Sequence, residues 1–228
     1  MKKVICFDLD DTLSKEIDYL KSAYREIARY AAAPCKGCSD SEIVLAQKAY
    51  EAMLEAYHRG ENAFEMLNAF LGVQNPVSEY LSIYRNHRPE IALSEETARV
   101  LAELKTKGCK LGLITDGRSV QQRSKIEALA LGRYFDAEDI VISEEFGSEK
   151  PSLANYEYFM KRYPEATEFV YVGDNLKKDF VGANALGWTT VCLLDDGRNI
   201  HKQDFEAIAA EAQPKHKIKT LSELVNLI

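Results

Sequence analysis

Asp8 and Asp10 stand two residues apart at the end of a short apolar run, Lys3 to Leu9. In an extended chain residues i and i+2 face the same way, so their carboxylates point to one side. Held together they repel, and neither is comfortable as an anion without a cation nearby. Other polar groups also stand at the ends of apolar runs. Thr115, Asp116 and Gly117 follow Lys110 to Ile114, Lys150 precedes Pro151, and Asp174 and Asn175 follow Glu168 to Gly173, with Asp179 a little further on. If these ends converge, Asp174 adds a third carboxylate. A hard divalent ion relieves that crowding, and oxygen-only ligation points to Mg²⁺. Thr115 and Lys150 bring donors without negative charge, as a dianionic phosphate requires. With the metal masking charge, one carboxylate can attack phosphorus while a second moves the proton. Taken singly, each signal is an ordinary helix cap or turn. The reading rests on four of them in order, each at the end of a strand.

Those ends need a frame. The run Lys3 to Leu9 is short and continuous, as a strand buried on both faces is. A long helical tract follows. Its first stripe is Ile17, Leu20, Tyr24, Ile27, Ala28 and Ala31, and Pro34 and Gly37 break it. Ser39 with Glu42 forms a capping box for a second helix with the stripe Ile43, Ala46, Tyr50, Met53, Leu54 and Tyr57. Asn62 opens a third helix carrying Phe64, Leu67 and Phe70 up to Gly72, Pro76 a fourth, and Pro89 closes the tract. Beyond it, helices alternate with apolar strands at Lys110 to Thr115, Asp139 to Ser143, Glu168 to Gly173 and Thr189 to Leu194, ending in a short helix over Ser222 to Ile228. Alternation of this kind specifies right-handed βαβ crossovers and a parallel sheet covered on both faces. In such sheets the site lies at the carboxyl ends of the strands. The expected fold is therefore α/β, a Rossmann-like parallel-sheet core of residues 1–13 and 92–228 with an inserted all-helical domain over residues 14–91.

Phe7-Asp8-Leu9-Asp10-Asp11-Thr12-Leu13 resembles the DxDxT signature of the haloacid dehalogenase-like (HAD) superfamily. Thr115 after its strand is similar to the second motif of that superfamily, Lys150-Pro151 to the third, and Gly173-Asp174 with Asp179 to the GDxxxxD fourth. The helical insert directly after the first motif resembles a type-1 cap. The resemblance implies Asp8 as a nucleophile forming an aspartyl-phosphate and Asp10 as general acid and base. It implies Mg²⁺ on the Asp8 carboxylate, the Asp10 backbone carbonyl and Asp174, with Thr115, Asp116 and Lys150 at the phosphoryl group. Asn175 and Asp179 would support the metal site or the lysine from behind. An acid at position 10 favours phosphate esters, because carbon–halogen and phosphonate-cleaving members lack it. The chain departs from the pattern at Asp11, where glycine is common, and at Leu153, where many members carry a second proline.

The remaining features narrow the function class. Of 228 residues, 29 are Lys or Arg and 36 Asp or Glu, a net charge of −7, which opposes binding to nucleic acid or to anionic lipid. The apolar stretch after Met1-Lys2-Lys3 is too short for a secretory signal, so a cytoplasmic protein is expected, and the five cysteines read as reduced thiols. Cys35 and Cys38 form a CxxC with no second pair to complete a metal site. The expected reaction is Mg²⁺-dependent hydrolysis of a small phosphorylated metabolite such as a sugar phosphate. A nucleoside 5'-monophosphatase, favoured by the aromatic-rich insert, and a phosphotransferase or phosphomutase are the alternatives, with a non-enzymic binding protein the least favoured. Closure of the insert over the rim would exclude water, and Lys15, Tyr19 and Arg118 are the candidates for reading the rest of the substrate.

Overall fold

The computed structural model describes residues 2–33 and 39–228. They divide into two compact units, Met1–Ile17 with Ala92–Ile228, and Asp18–Ile91. Cys35 and Cys38 lie outside the described residues, as do the side chains of residues 39–41 and with them the expected capping box.

In the first unit six strands form one parallel sheet: β1 (Lys2–Phe7), β2 (Lys110–Thr115), β3 (Ile140–Ile142), β4 (Ala166–Gly173), β5 (Thr189–Leu193) and β6 (His216–Ile218). Their order across the sheet is β3-β2-β1-β4-β5-β6. β1 is central, with Phe7 opposite Leu113 of β2 on one side and Val172 of β4 on the other. That placement explains its unbroken apolar run, since Val4 to Phe7 are wholly buried. All strands point the same way, so the ends of β1, β2 and β4, and the loops that follow them, open on one edge. The helices of this unit are α5 (Glu95–Thr106), α6 (Ser119–Ala128), α7 (Ser143–Phe146), α8 (Leu153–Arg162), α9 (Val181–Ala185) and α10 (Leu221–Leu227). Ser94 caps α5 by accepting the Thr97 N–H at 3.0 Å. The sheet unit also retains residues 14–17 of the insert. Asp11 accepts the Glu16 N–H at 3.0 Å, and Lys15 donates to Asn199 at 2.6 Å.

The second unit holds α1 (Glu16–Ala32, beyond its first turn), α2 (Ser39–His58), α3 (Ala63–Leu71) and α4 (Val77–Asn86). Asn62 caps α3 by accepting the N–H groups of Phe64 and Glu65 at 3.1 and 3.3 Å. The buried stripe of α2 is Ala46, Ala49, Tyr50, Met53 and Ala56. Ile43, expected on that stripe, is 73% exposed. After α4 the chain is tied back to α1: the Tyr19 hydroxyl donates to the Tyr84 carbonyl at 2.6 Å, and His87 lies between Ser22 and Glu26. Among the described residues no helix is long and apolar enough to cross a membrane, and Cys6, Cys109 and Cys192 are unpaired thiols.

Two elements escape the sequence reading. β6 has three residues, only one of them buried, and α7 has four; neither is long enough to show a period.

Where β4 ends, Gly173 meets Asp179 so closely that a Cβ would lie 2.3 Å from the Asp179 Oδ2. Gly173→Ala is expected to lower the unfolding free energy by about 2 kcal/mol or more, since a wholly buried carboxylate must shift. Denaturant unfolding measures it, and wild-type stability in the variant would contradict the close approach.

Candidate active site

β1 delivers Asp8 to the edge with its backbone still in the sheet, its N–H donating to the Val172 carbonyl at 2.9 Å. The Asp8 Oδ1 accepts the Leu9 N–H at 2.8 Å and the Lys150 ammonium at 2.8 Å. The second oxygen, Oδ2, accepts no hydrogen bond from the described residues. After Asp8 the chain turns sharply. Asp11 takes a left-handed conformation, φ 55°, which costs most side chains energy but which aspartate tolerates better than most. Its carboxylate repays the strain by accepting the N–H groups of Glu16 and of Ile200, at 3.0 and 2.8 Å. Aspartate can therefore stand where a glycine would be expected.

Lys150 comes from the loop before α8. It is 3% exposed, and its three ammonium donors go to Asp8, to Asp179 at 2.8 Å and to the Tyr171 hydroxyl at 3.1 Å. Burial works against this cation, but Asp179 and Asp8 outweigh it and hold its pKa well above the ordinary lysine range. Asp179 is spent in turn. Its Oδ1 faces Lys150, and its Oδ2 accepts the N–H groups of Asp174 and Asn175 at 3.0 and 2.8 Å. It thereby shapes the turn that presents Asp174. One Asp174 oxygen accepts from Asn199 at 3.0 Å, the other from the Thr12 hydroxyl at 3.4 Å.

The carboxylate oxygens of Asp8, Asp174 and Asp179 lie within 4.8 Å of one another, all buried. Burial first, and the neighbouring acids after it, push Asp174 up to about 9. Burial likewise raises Asp8 to about 8 even though Lys150 opposes the shift. Glu16 at the rim is raised to about 7 by burial and then by Asp10. Two raised carboxylates whose ligand atoms are oxygens, with a single lysine shared between Asp8 and Asp179, form a donor set that fits a hard divalent cation. The cleft above them has a volume of about 150 Å³ and is also bordered by Asp10, Asp116, Lys178 and His201.

The structure brings Asp8, Asp10, Asp116, Lys150, Asp174 and Asn175 to this one cleft. Thr115 is buried beside it, linked through Gln122 to Asp10. Asp116 accepts the Lys150 N–H at 3.0 Å and pairs with Lys178 at 3.3 Å. Each of the three specificity candidates has surroundings of its own. Lys15 is held by Asn199 and Asp196, Tyr19 is buried in the helical unit, and Arg118 is exposed at the start of α6. Leu153 is 41% exposed, so no proline is needed there for packing.

Several partners escape the sequence reading. Gln122 and Lys125 on α6 hold Asp10, with Lys125 Nζ 2.6 Å from its Oδ1 and Gln122 Nε2 3.0 Å from its Oδ2. The segment after β5 sends Asn199 to Asp174 and Gln203 to the Asp174 carbonyl at 2.8 Å. No spacing signals the first pair, because α6 has no apolar stripe to mark a buried face.

The sequence pattern of the haloacid dehalogenase-like hydrolases matches residues 5–193. Over its whole length the chain is 33% identical to a glyceraldehyde 3-phosphate phosphatase of Methanocaldococcus jannaschii, 97% of which is covered. Over 61% of its length it is 34% identical to a ribulose-1,5-bisphosphate 5-phosphatase of Halopiger xanaduensis, 58% of which is covered. In structure it resembles a HAD phosphatase from Thermococcus onnurineus, with a TM-score of 0.59 at 22% identity, covering 99% of this chain and 97% of that one. On the pattern match and on relatedness from end to end, the chain belongs to the haloacid dehalogenase-like hydrolase family.

Proposed function

We propose that this chain is a phosphomonoesterase that removes the phosphoryl group from a small phosphorylated sugar, with Asp8 as nucleophile and Asp10 as proton donor. The observation that carries the reading is the state of Asp8. One oxygen is fixed by Leu9 and Lys150, the other has no donor among the described residues, and the residue borders a cleft shared with Asp10 and Asp174. A carboxylate so held keeps one oxygen open towards the cleft, as in-line attack on phosphorus needs. The Asp10 carboxyl lies two residues on and gives its proton to the departing alcohol oxygen. It then takes one from the water that hydrolyses the aspartyl-phosphate on Asp8. The Thr115 hydroxyl holds a phosphoryl oxygen, and Lys150 keeps Asp8 in place.

Asp8 and Asp174, with the Asp10 backbone carbonyl, would hold Mg²⁺. The bound cation supplies the positive charge that lets a carboxylate and a phosphate dianion share one cleft. A volume of about 150 Å³ is below the roughly 300 Å³ of ordinary ligand pockets, which suits a phosphoryl group on a short carbon chain. The curated relatives aligned over the full chain include glyceraldehyde 3-phosphate phosphatases, which supports a sugar phosphate as substrate. Tyr19, Tyr24, Tyr50 and Tyr80, which could stack on a nucleobase, are buried in the helical unit instead. Inserted directly after the strand that carries Asp8, that unit takes the role of cap in this proposal.

The test is phosphate release from a panel of phosphorylated trioses, pentoses, hexoses and nucleoside monophosphates in the presence of Mg²⁺. Sugar phosphates are expected to lead. Asp8→Asn, which keeps the side-chain volume, is expected to lose on the order of 10³-fold or more in turnover. Nucleotides leading the panel, or near-wild-type turnover in the variant, would overturn the reading.

The raised carboxylates set a pH dependence for the metal. With Asp174 near 9 and Asp8 near 8 in the metal-free protein, both hold protons at neutral pH that a cation must displace. Mg²⁺ affinity is therefore expected to rise from about pH 6 to about pH 9, by up to roughly tenfold per pH unit for each proton displaced. Above both values the dependence flattens. Calorimetric titration in two buffers of different ionisation enthalpy reads the protons released, and binding without proton release would contradict the assignment.

A further inference from the structure

We propose that Gln122 is a positioning residue, a carboxamide bridge that with Lys125 sets the Asp10 carboxyl and the Thr115 hydroxyl in register for protonation of the leaving group. The inference rests on the phosphomonoesterase reading and extends it to two residues of α6.

The helix itself poses the problem. Its sequence, Ser-Val-Gln-Gln-Arg-Ser-Lys-Ile-Glu-Ala, has no apolar stripe and would ordinarily be a solvated surface. Yet Gln122 is 1% and Lys125 2% exposed. Three residues apart, they share one face of the helix. Burying an amide and an ammonium is costly unless each finds partners, and those partners belong to the site. Gln122 Nε2 donates to the Thr115 Oγ1 at 2.5 Å and to the Asp10 Oδ2 at 3.0 Å. Lys125 Nζ donates to the Asp10 Oδ1 at 2.6 Å.

Three consequences follow from the chemistry of these groups. A carboxylate accepts and does not donate, so the NH₂ end of Gln122 is the end that faces Asp10. The same nitrogen then gives its other proton to Thr115, whose oxygen acts as acceptor and whose own proton is left for a phosphoryl oxygen. Finally, both Asp10 oxygens are fixed from behind, so the lone pairs that remain are those on the cleft side, where Asp10 is 21% exposed. One side chain thus ties the end of β2 to the loop after β1 at the two groups that must act together. The backbone makes room for it. Gly117 adopts φ 142°, and a Cβ there would lie 3.2 Å from the Gln122 Cγ.

Gln122→Met and Lys125→Met keep length and apolar volume and remove the donors. The readout is kcat/KM across a series of phosphate monoesters from nitrophenyl phosphate to simple alkyl phosphates, which reports steps up to phosphoryl transfer. A misplaced acid matters most when the leaving group needs a proton. Lys125→Met is expected to lose on the order of 30-fold on alkyl esters and under about 3-fold on nitrophenyl phosphate; Gln122→Met also loosens the Thr115 hydroxyl and is expected to lose activity on both, with the larger loss on alkyl esters, so that each variant steepens the dependence on leaving-group pKa. Lys125→Arg, which keeps the charge, is expected to restore most of the alkyl activity. Equal losses across the series in a folded variant would overturn the inference while leaving the phosphatase reading intact. Loss of the fold in both Met variants would assign the pair to stability and overturn it equally. A wild-type protein that turns over no ester would defeat the underlying reading, and this inference with it.

Discussion

Lys150 Nζ lies 2.8 Å from Asp8 and 2.8 Å from Asp179, inside a cluster where three buried carboxylates come within 4.8 Å of one another. Like charges at that separation, out of water, repel strongly, and one ammonium cannot balance three anions. The surroundings divide the burden. Asp179 is neutralised by Lys150 and by two backbone N–H groups, so it acts as a fixed brace. Asp8 and Asp174 remain undercompensated, and their raised pKa values record it. That deficit is the chemical asset of the site. A cation and a phosphoryl group together can satisfy it, whereas a site already satisfied would have no reason to bind them.

The rest of the sheet unit serves that cluster. A central parallel strand brings Asp8 to the edge with its main chain still hydrogen-bonded. Neighbouring strands place Thr115 and Asp174 on the same edge, so carboxylates distant in sequence meet without any long-range loop. The strained turn at Asp11 is held by bonds to Glu16 and Ile200. The segment after β5 closes the ring by reaching back to Asp174 through Asn199 and Gln203.

Much of this was legible in the sequence because its signals are local. Continuous apolar runs mark strands buried on both faces, and the bounds of β2 agree with the sequence reading. Asn62 caps the helix that its position announces. The acids and the lysine at strand ends are found together because parallel strands leave their chemistry on one edge. What stayed hidden is contact that depends on packing. Gln122 and Lys125 sit on a helix whose polarity reads as solvent exposure, and only the fold shows that the polar face is turned to Asp10. Asn199 lies in a stretch of turn-forming residues, where nothing in the spacing distinguishes a ligand-shaping loop from a surface one. β6 is too short to carry a period, and the exposure of Ile43 at one end of an apolar stripe depends on what packs there, which periodicity does not show.

The account stands on Asp8 as the atom that takes the phosphoryl group. A single turnover in ¹⁸O-labelled water, followed by mass analysis of the peptide containing Asp8, tests this most directly. Hydrolysis of an aspartyl-phosphate by attack at phosphorus puts the label into the released phosphate. Rapid quenching before that step should trap one phosphoryl group on the Asp8 peptide and none on the peptides carrying Asp10 or Asp174. Labelled phosphate forming with no phosphoryl group ever trapped on Asp8, in a quench fast enough to catch the first turnover, would mean that water attacks the ester directly and would contradict the account.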